Sequence, residues 1–207
     1  MNDCWKSIGI AGSIRGSGVT HLSVALANYA ASGLCKKTAV LEVHAYGELA
    51  HWKEAGRQGY FIDRRIHYYP NVKREQIPIL INRDYDCIIL DFGDEYLSFR
   101  EEFLHCDKKV ILLSLNPWQK FTAVKLLEAM RRKSWGNIQP MYASVHTQKN
   151  IKQEIEKLYG IEIFEIPEIL NPVCITPDKF ACLEQILGRS AVKAKRKYLP
   201  IPIWKKR

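Results

Sequence analysis

The sequence has no run of about 18 or more uninterrupted apolar residues, so a membrane-spanning helix is not expected. From Met1 to Ile10 there is no basic segment leading into an apolar stretch and a cleavage site, so no secretory signal is read there. Paired cysteines are also lacking. Cys4, Cys35, Cys87, Cys106, Cys174 and Cys182 are scattered, with no C-x-x-C spacing and no histidine at a zinc-ligand interval. They read as reduced thiols of a cytoplasmic protein, small and apolar in character, rather than as a disulfide framework or a zinc ribbon. No internal repeat is evident. Acidic residues are absent after Glu184, and from Arg189 onward there are eight basic residues. Removing those eight from the 31 basic residues of the chain leaves 23 against 22 acidic ones, so the net charge of +9 belongs mostly to the end of the chain. An electrostatic partner is therefore expected at the tail rather than at the body.

What is present suits a single compact unit. The 207 residues, 47% hydrophobic and 26% charged, supply one good core and too little length for two comfortable domains. The expected division is a folded domain over 1–188 and a basic, proline-containing tail over 189–207. Short runs rich in Ile, Val and Leu alternate with segments of helical period, the pattern of buried parallel strands and crossover helices. Strands are expected at Ser7 to Ala11, Thr38 to Val43, Cys87 to Asp91, Val110 to Leu115, Ile138 to Val145 and Ile161 to Ile166. Helices are expected at about Val19 to Ser32, near Arg74 to Asn82, at Phe121 to Lys133, Ile151 to Tyr159 and Asp178 to Leu187. Repeated βα units with right-handed crossovers wind into a doubly wound, mostly parallel α/β sheet with helices on both faces. Ligands then belong at the carboxyl ends of the strands. The stretch Gly56 to Lys73 breaks this rhythm with Tyr60, Phe61, Tyr68 and Tyr69 among Arg64, Arg65 and His67, and reads as a hairpin or loop packed on the domain or as an aromatic, basic surface.

The strongest local signal runs from Ile8 to His21: a strand, the glycine-rich turn Gly12-Ser13-Ile14-Arg15-Gly16-Ser17-Gly18, and a helix start at Val19-Thr20. Such a turn aims backbone N–H groups and the positive end of a helix at an anion. Thr20 stands where a phosphate-loop hydroxyl would ligate magnesium. The segment Tyr85-Asp86-Cys87-Ile88-Ile89-Leu90-Asp91 is an apolar strand that ends in a carboxylate.

These motifs resemble the MinD/ParA class of P-loop ATPases, whose loop reads K-G-G-x-G-K-[ST]-[ST]. Aligning Gly16, Gly18 and Thr20 with that pattern places Ile14 at the signature lysine, Arg15 at a glycine, Val19 at the P-loop lysine and His21 at the last hydroxyl. Both lysines are replaced. The resemblance implies an ATP or ADP site with magnesium, built by Arg15, Gly16, Ser17, Gly18, Val19, Thr20 and His21, with Thr20 and Asp91 as the metal-holding residues. It also implies nucleotide binding that is weak or absent and hydrolysis that is weak or lost, because the charge compensation of the two lysines is missing and only Arg15 remains to fold back toward the phosphates. In the second strand, where relatives carry V-L-L-I-D-x-D, Glu42 and His44 stand at the acidic positions. Glu42 and Asp91 are thus the catalytic candidates, with Glu42 one methylene longer than the family's aspartate. His44 reads either as a satisfied strand-end histidine or as a switch or ligand. Asn116-Pro117-Trp118 and the following helix resemble the segment that reports nucleotide state. Ile166-Pro167-Glu168 and Asn171-Pro172 resemble the segment near the base, with Ser144 or His146 where relatives carry an adenine-reading Asn.

The resemblance implies a scaffold that positions or recruits a larger assembly, such as pilus, secretion, division or conjugation machinery, through a protein partner and a nucleotide-dependent homodimer. Two alternatives stand beside it: an active ATPase with an unusual loop, and a DNA-binding, partition-type protein. Pro200 and Pro202 forbid a regular helix through the tail, leaving a solvated end, a docking segment, or a contact with nucleic acid or anionic membrane.

Overall fold

The computed structural model describes residues 5–132 and 140–188. In chain order the elements are β1 (Ser7–Gly12), α1 (Val19–Asn28) prolonged by a π-helical turn Tyr29–Gly33, β2 (Thr38–Glu42), α2 (Glu48–Trp52), β3 (Phe61–Asp63) and β4 (Ile66–Tyr69). A 3-10 turn, Arg74–Gln76, leads into α3 (Ile77–Ile81), followed by β5 (Cys87–Asp91), α4 (Arg100–His105), β6 (Lys108–Leu112) and α5 (Lys120–Arg131). The chain continues through β7 (Met141–Ser144), α6 (Lys149–Tyr159), β8 (Ile163–Glu165), a 3-10 turn Pro177–Lys179 and α7 (Phe180–Ile186).

Every residue of β1, β2 and β5 is buried, as continuous Ile/Val/Leu runs require when both sheet faces are covered. The strands form one eight-stranded sheet in the order β3-β4-β2-β5-β1-β6-β7-β8. All neighbouring pairs are parallel except β3 with β4. Successive residues serve opposite layers. Ile8, Ile10, Ile89, Val110 and Leu112 pack against α1 and α7, whereas Ala11, Ile88, Leu90 and Ile111 pack against α3, α4, α5 and α6. Leu22, Leu26 and Tyr29 share the buried face of α1 anticipated from their spacing. Each such buried aliphatic side chain contributes about 1.5–3 kcal/mol of transfer free energy, and this fixes the sheet between its two helical layers. The fold is a doubly wound α/β arrangement in which β1 leads to β2 on one side while β6 flanks it on the other. That reversal opens a crevice at the carboxyl end of β1.

The sheet has two more strands than the six anticipated, and both come from the segment between Gly56 and Lys73. It is a hairpin, and its second strand joins the sheet in parallel with β2 from Thr38↔Ile66 to Leu41↔Tyr69. Phe61, Tyr68 and Tyr69 are buried, so these aromatics are core rather than surface. Strand β6 begins two residues earlier than expected, with Lys109 buried and its ammonium donating to Cys106 O at 2.5 Å. Helices α2 and α4 were not anticipated. The five cysteines among the described residues are free thiols. Of the strand expected over Ile138 to Val145, Ile138 lies outside the described residues, as does the basic tail from 189 onward.

Candidate functional site

The loop between β1 and α1 is pinned to both neighbouring strands. Gly12 N–H donates to Gly93 O at 2.7 Å and Ser13 N–H to Leu112 O at 2.8 Å. Gly18, with φ 95° and ψ 17°, is the N-cap of α1 and has no side chain to take up the helix's first free amides. Gly12 is held small by a close approach: a Cβ there would lie 2.0 Å from Ser17 Oγ and 2.8 Å from Val19 Cγ2. The side chains of Ser17 and Val19 therefore fold beneath the loop. Val19, at the position aligned with the P-loop lysine, is only 5% exposed.

The other walls come from the ends of β2 and β5. Glu42 and Asp91 are fully buried, and His44, 1% exposed, contacts both: its Nε2 lies 3.3 Å from Asp91 Oδ1 and 3.9 Å from Glu42 Oε1. Its Nδ1 lies 3.3 Å from Glu48 Oε2 and accepts Tyr46 N–H at 3.3 Å. Burial pushes the imidazole toward neutrality, but the carboxylates of Asp91, Glu42 and Glu48 outweigh it and hold its pKa above the ordinary histidine value. Burial raises the Glu42 carboxyl, against the lowering effect of the N–H groups of Leu49 and Asn71 and of the His44 charge. Those N–H groups donate to Glu42 at 2.8 and 3.2 Å, one to each oxygen, and tie β2 to α2 and to the segment after β4.

Arg15 sits at the mouth with its guanidinium 4.2 Å over the ring of Tyr46 and 3.8 Å from Glu48 Oε1. Its own N–H donates to Asp94 Oδ2 at 3.0 Å, while Tyr46 donates its hydroxyl to Asp94 Oδ1 at 2.6 Å. On the far side of the loop, Ser13 Oγ accepts Ser114 N–H at 3.0 Å, which connects the loop to the segment entering α5.

Arg15, Gly16, Ser17, Gly18, Val19, Thr20 and His21 all line one cleft of about 160 Å³, together with His44, Tyr46 and Glu48. Glu42 and Asp91 meet that cleft through His44. A second cleft of about 220 Å³ shares Gly16 to Gly18 and His21 with the first and is bounded by Val145, His146 and Ile166 to Ile169. His21 Nε2 contacts Ile169 O at 2.5 Å and bridges the two walls of that second cleft. Ser144 is buried and does not line it. Tyr46, Glu48 and Asp94 went unread in the sequence. Their only signal was position, just beyond the carboxyl ends of β2 and β5.

No family model matches the chain, and no curated protein matches it. Solved structures do. The ParA family ATPase from Chlorobium tepidum superposes with a TM-score of 0.66 at 15% identity, over 91% of this chain and 94% of that one. A plasmid partition protein from Borrelia burgdorferi bound to AMPPNP gives 0.60 at 14% identity, over 89% and 97%. The MinC:MinD cell division complex of Aquifex aeolicus gives 0.58 at 16% identity, over 97% and 100%. The chain has the fold of MinD/ParA-type P-loop ATPases. Among the described residues, no helix is long and apolar enough to cross a membrane.

Proposed function

We propose that this chain is a nucleotide-binding scaffold or pseudo-ATPase of MinD/ParA type that positions or recruits a larger assembly. The observation that carries the reading is the loss of cationic reach at the loop. Val19 is buried where the lysine would stand, and the guanidinium of Arg15 is held by Tyr46 and Glu48. Gly18 caps α1 with no side chain on the helix's first amides, so an anion there gains hydrogen bonds without the charge compensation that speeds phosphoryl transfer. In this reading the triphosphate would lie against Gly16 to His21 and the base in the second cleft, against Val145, His146 and Pro167.

The donors fit a magnesium ion carried in with the nucleotide. Asp91 Oδ2 is buried with no hydrogen-bond partner, and Thr20 faces the cleft. Thr20 and Asp91 would hold the ion, which supplies charge neutralisation for the phosphates when bound. Glu42, whose oxygens accept the amides of Leu49 and Asn71, positions His44 and the α2 turn rather than a reacting water. We assign the domain to 1–188, the tail to partner contacts and the protein to the cytoplasm. A protein partner and a nucleotide-dependent homodimer complete the reading, the partner supported by the likeness to a MinD in complex with MinC.

Titration with a fluorescent ATP analogue and phosphate release from Mg-ATP test this together. The expected result is weak binding with negligible turnover. Rapid turnover lost in Asp91→Ala would overturn the pseudoenzyme reading and favour an active ATPase, for which Arg15, exposed at 63% of its side chain, is the available cation. Salt-dependent DNA binding that disappears on deleting 189–207 would favour a partition-type role instead.

A further inference from the structure

Beneath the glycine loop, carboxylates outnumber cations. Glu42 and Asp91 are fully buried, Glu48 is half-buried, and one imidazole stands among the three. Even a protonated His44 leaves this group with net negative charge when the carboxylates are ionised, and burying such charge unmatched is costly. Three of its atoms are buried and make no hydrogen bond: His44 Nε2, Glu48 Oε2 and Asp91 Oδ2.

The donors are gathered closely enough to share one ion. One donor atom from each of Glu42, His44 and Glu48 lies within 4.8 Å of the other two. His44 Nε2 lies 3.3 Å from Asp91 Oδ1 and 3.9 Å from Glu42 Oε1, whereas the other ring nitrogen, Nδ1, lies 3.3 Å from Glu48 Oε2. Each 3.3 Å contact is longer than a charge-assisted hydrogen bond of about 2.7–2.9 Å. A single ion binds one of the two nitrogens, and Nε2 is the one that is buried and makes no hydrogen bond. The α2 turn that carries Glu48 is fastened to the group, because Leu49 N–H donates to Glu42 Oε1 at 2.8 Å. The backbone that carries the donors is thus fixed, and an ion would have to draw in side chains alone.

We propose that Glu42, His44 and Glu48, with Asp91 at their side, form a nucleotide-independent site for one transition-metal dication of the zinc type. A ring nitrogen among carboxylate oxygens favours zinc, cobalt or manganese over magnesium, which prefers an all-oxygen, largely hydrated shell. An ion there would neutralise the carboxylates and fix the α2 turn against β2. The site differs in kind from one in which a metal arrives with phosphates, because its ligands come from the chain alone.

The test is calorimetric titration of the metal-stripped protein carrying Cys4→Ser, Cys35→Ser and Cys174→Ser, without nucleotide, with zinc, manganese and magnesium in turn. The exposed thiols among the described residues, and Cys4 outside them, are thereby removed as competitors. The expected result is one zinc per chain, bound about 100-fold or more tightly than magnesium. His44→Ala should weaken zinc by about 30-fold or more, and His44→Asp should shrink the preference for zinc over magnesium by about tenfold while retaining metal binding. Cobalt should give ligand-field bands without thiolate charge transfer. Melting curves of each metal-free variant establish folding. Should His44→Ala not fold, Glu48→Gln, on the half-exposed ligand, replaces it with the same expected loss. Zinc binding unchanged in the His44 and Glu48 variants, magnesium binding as tight as zinc, or a thiolate band with cobalt would each overturn the proposal. Nucleotide is absent from every arm and is titrated separately, so failure of this site and failure of the nucleotide reading are distinguishable.

Discussion

The carboxylate of Asp94 accepts the main-chain N–H of Arg15 at 3.0 Å. An amide on the rim of the glycine loop is thus already satisfied by the chain's own negative charge. An incoming phosphate must compete with that carboxylate for the amide and is repelled by it.

Tyr46 reports on this arrangement. Its hydrogen bond to Asp94, then burial and the Asp94 charge, push its hydroxyl up to about 12. A raised phenol pKa means that the contribution to stability is present below the ordinary value of about 10 and is lost as pH rises through the folded value. Asp94→Asn removes the charge, so ultraviolet titration should show the Tyr46 phenol moving back toward 10. The same variant should bind the ATP analogue more tightly, and weaker binding would show that Asp94 supports the loop rather than competing with ligand.

Gly12 and Gly16 should respond differently to alanine. At Gly12 the added methyl meets Ser17 and Val19 inside van der Waals distance, whereas at Gly16 nothing lies within 4 Å and only the φ of 80° resists. Gly12→Ala is expected to cost about 1–3 kcal/mol from overpacking. Gly16→Ala is expected to cost about 1 kcal/mol of backbone strain. For a domain of this size, each kcal/mol lowers Tm by about 2–4 °C, which thermal melts resolve. Loss of ATP-analogue binding should accompany Gly12→Ala.

Trp118 is 85% exposed and lies four residues beyond Ser114, whose N–H is held by Ser13 Oγ in the loop. Occupation of the loop should therefore change Trp118 emission, measured as the difference between the native protein and Trp118→Phe. Ser13→Ala should abolish that difference. An unchanged signal with bound nucleotide would show that loop and helix are uncoupled.

How far the sequence foretold all this depended on the range of the interactions. Strands β1, β2 and β5 were legible because continuous burial demands continuous apolar residues, and the loop was legible because its chemistry is contiguous from Gly12 to Thr20. The hairpin strands β3 and β4 were not resolved as separate strands. Their turn is Arg64-Arg65, both left-handed at φ 46° and 71°, where glycine or asparagine is the usual marker. Helices α2 and α4, with five and six residues, bury only Leu49 and Phe103 and so carry no period to detect. Asp94 and Tyr46 stand 48 residues apart and meet only because β2 and β5 are neighbours in the sheet.

Asp107 should make acid stability measurably sensitive at the foot of β1. Burial raises its carboxyl, but hydrogen bonds from Lys6 N–H, Ser7 N–H and Ser7 Oγ at 2.8–2.9 Å, with the charge of Lys109, bring it below the usual aspartate value. A lowered carboxylate pKa contributes stability that is present above the unfolded value and is lost as pH falls through the folded one. Asp107 is exposed, so solvent discounts the effect to about 1 kcal/mol. Asp107→Asn should lower Tm by a few degrees at neutral pH, with the difference from native vanishing in acid.

The final described residues fasten onto elements made long before them. Tyr29 donates its hydroxyl to Glu184 at 2.6 Å, Arg64 donates to Val173 O at 2.6 Å, and the Lys108 ammonium donates to Leu187 O. The layer over α1 therefore stays open to water until residues 173–187 have been made. Closing that layer waits on these last elements, and a chain stalled before residue 171 would present sticky apolar surface to chaperones and proteases.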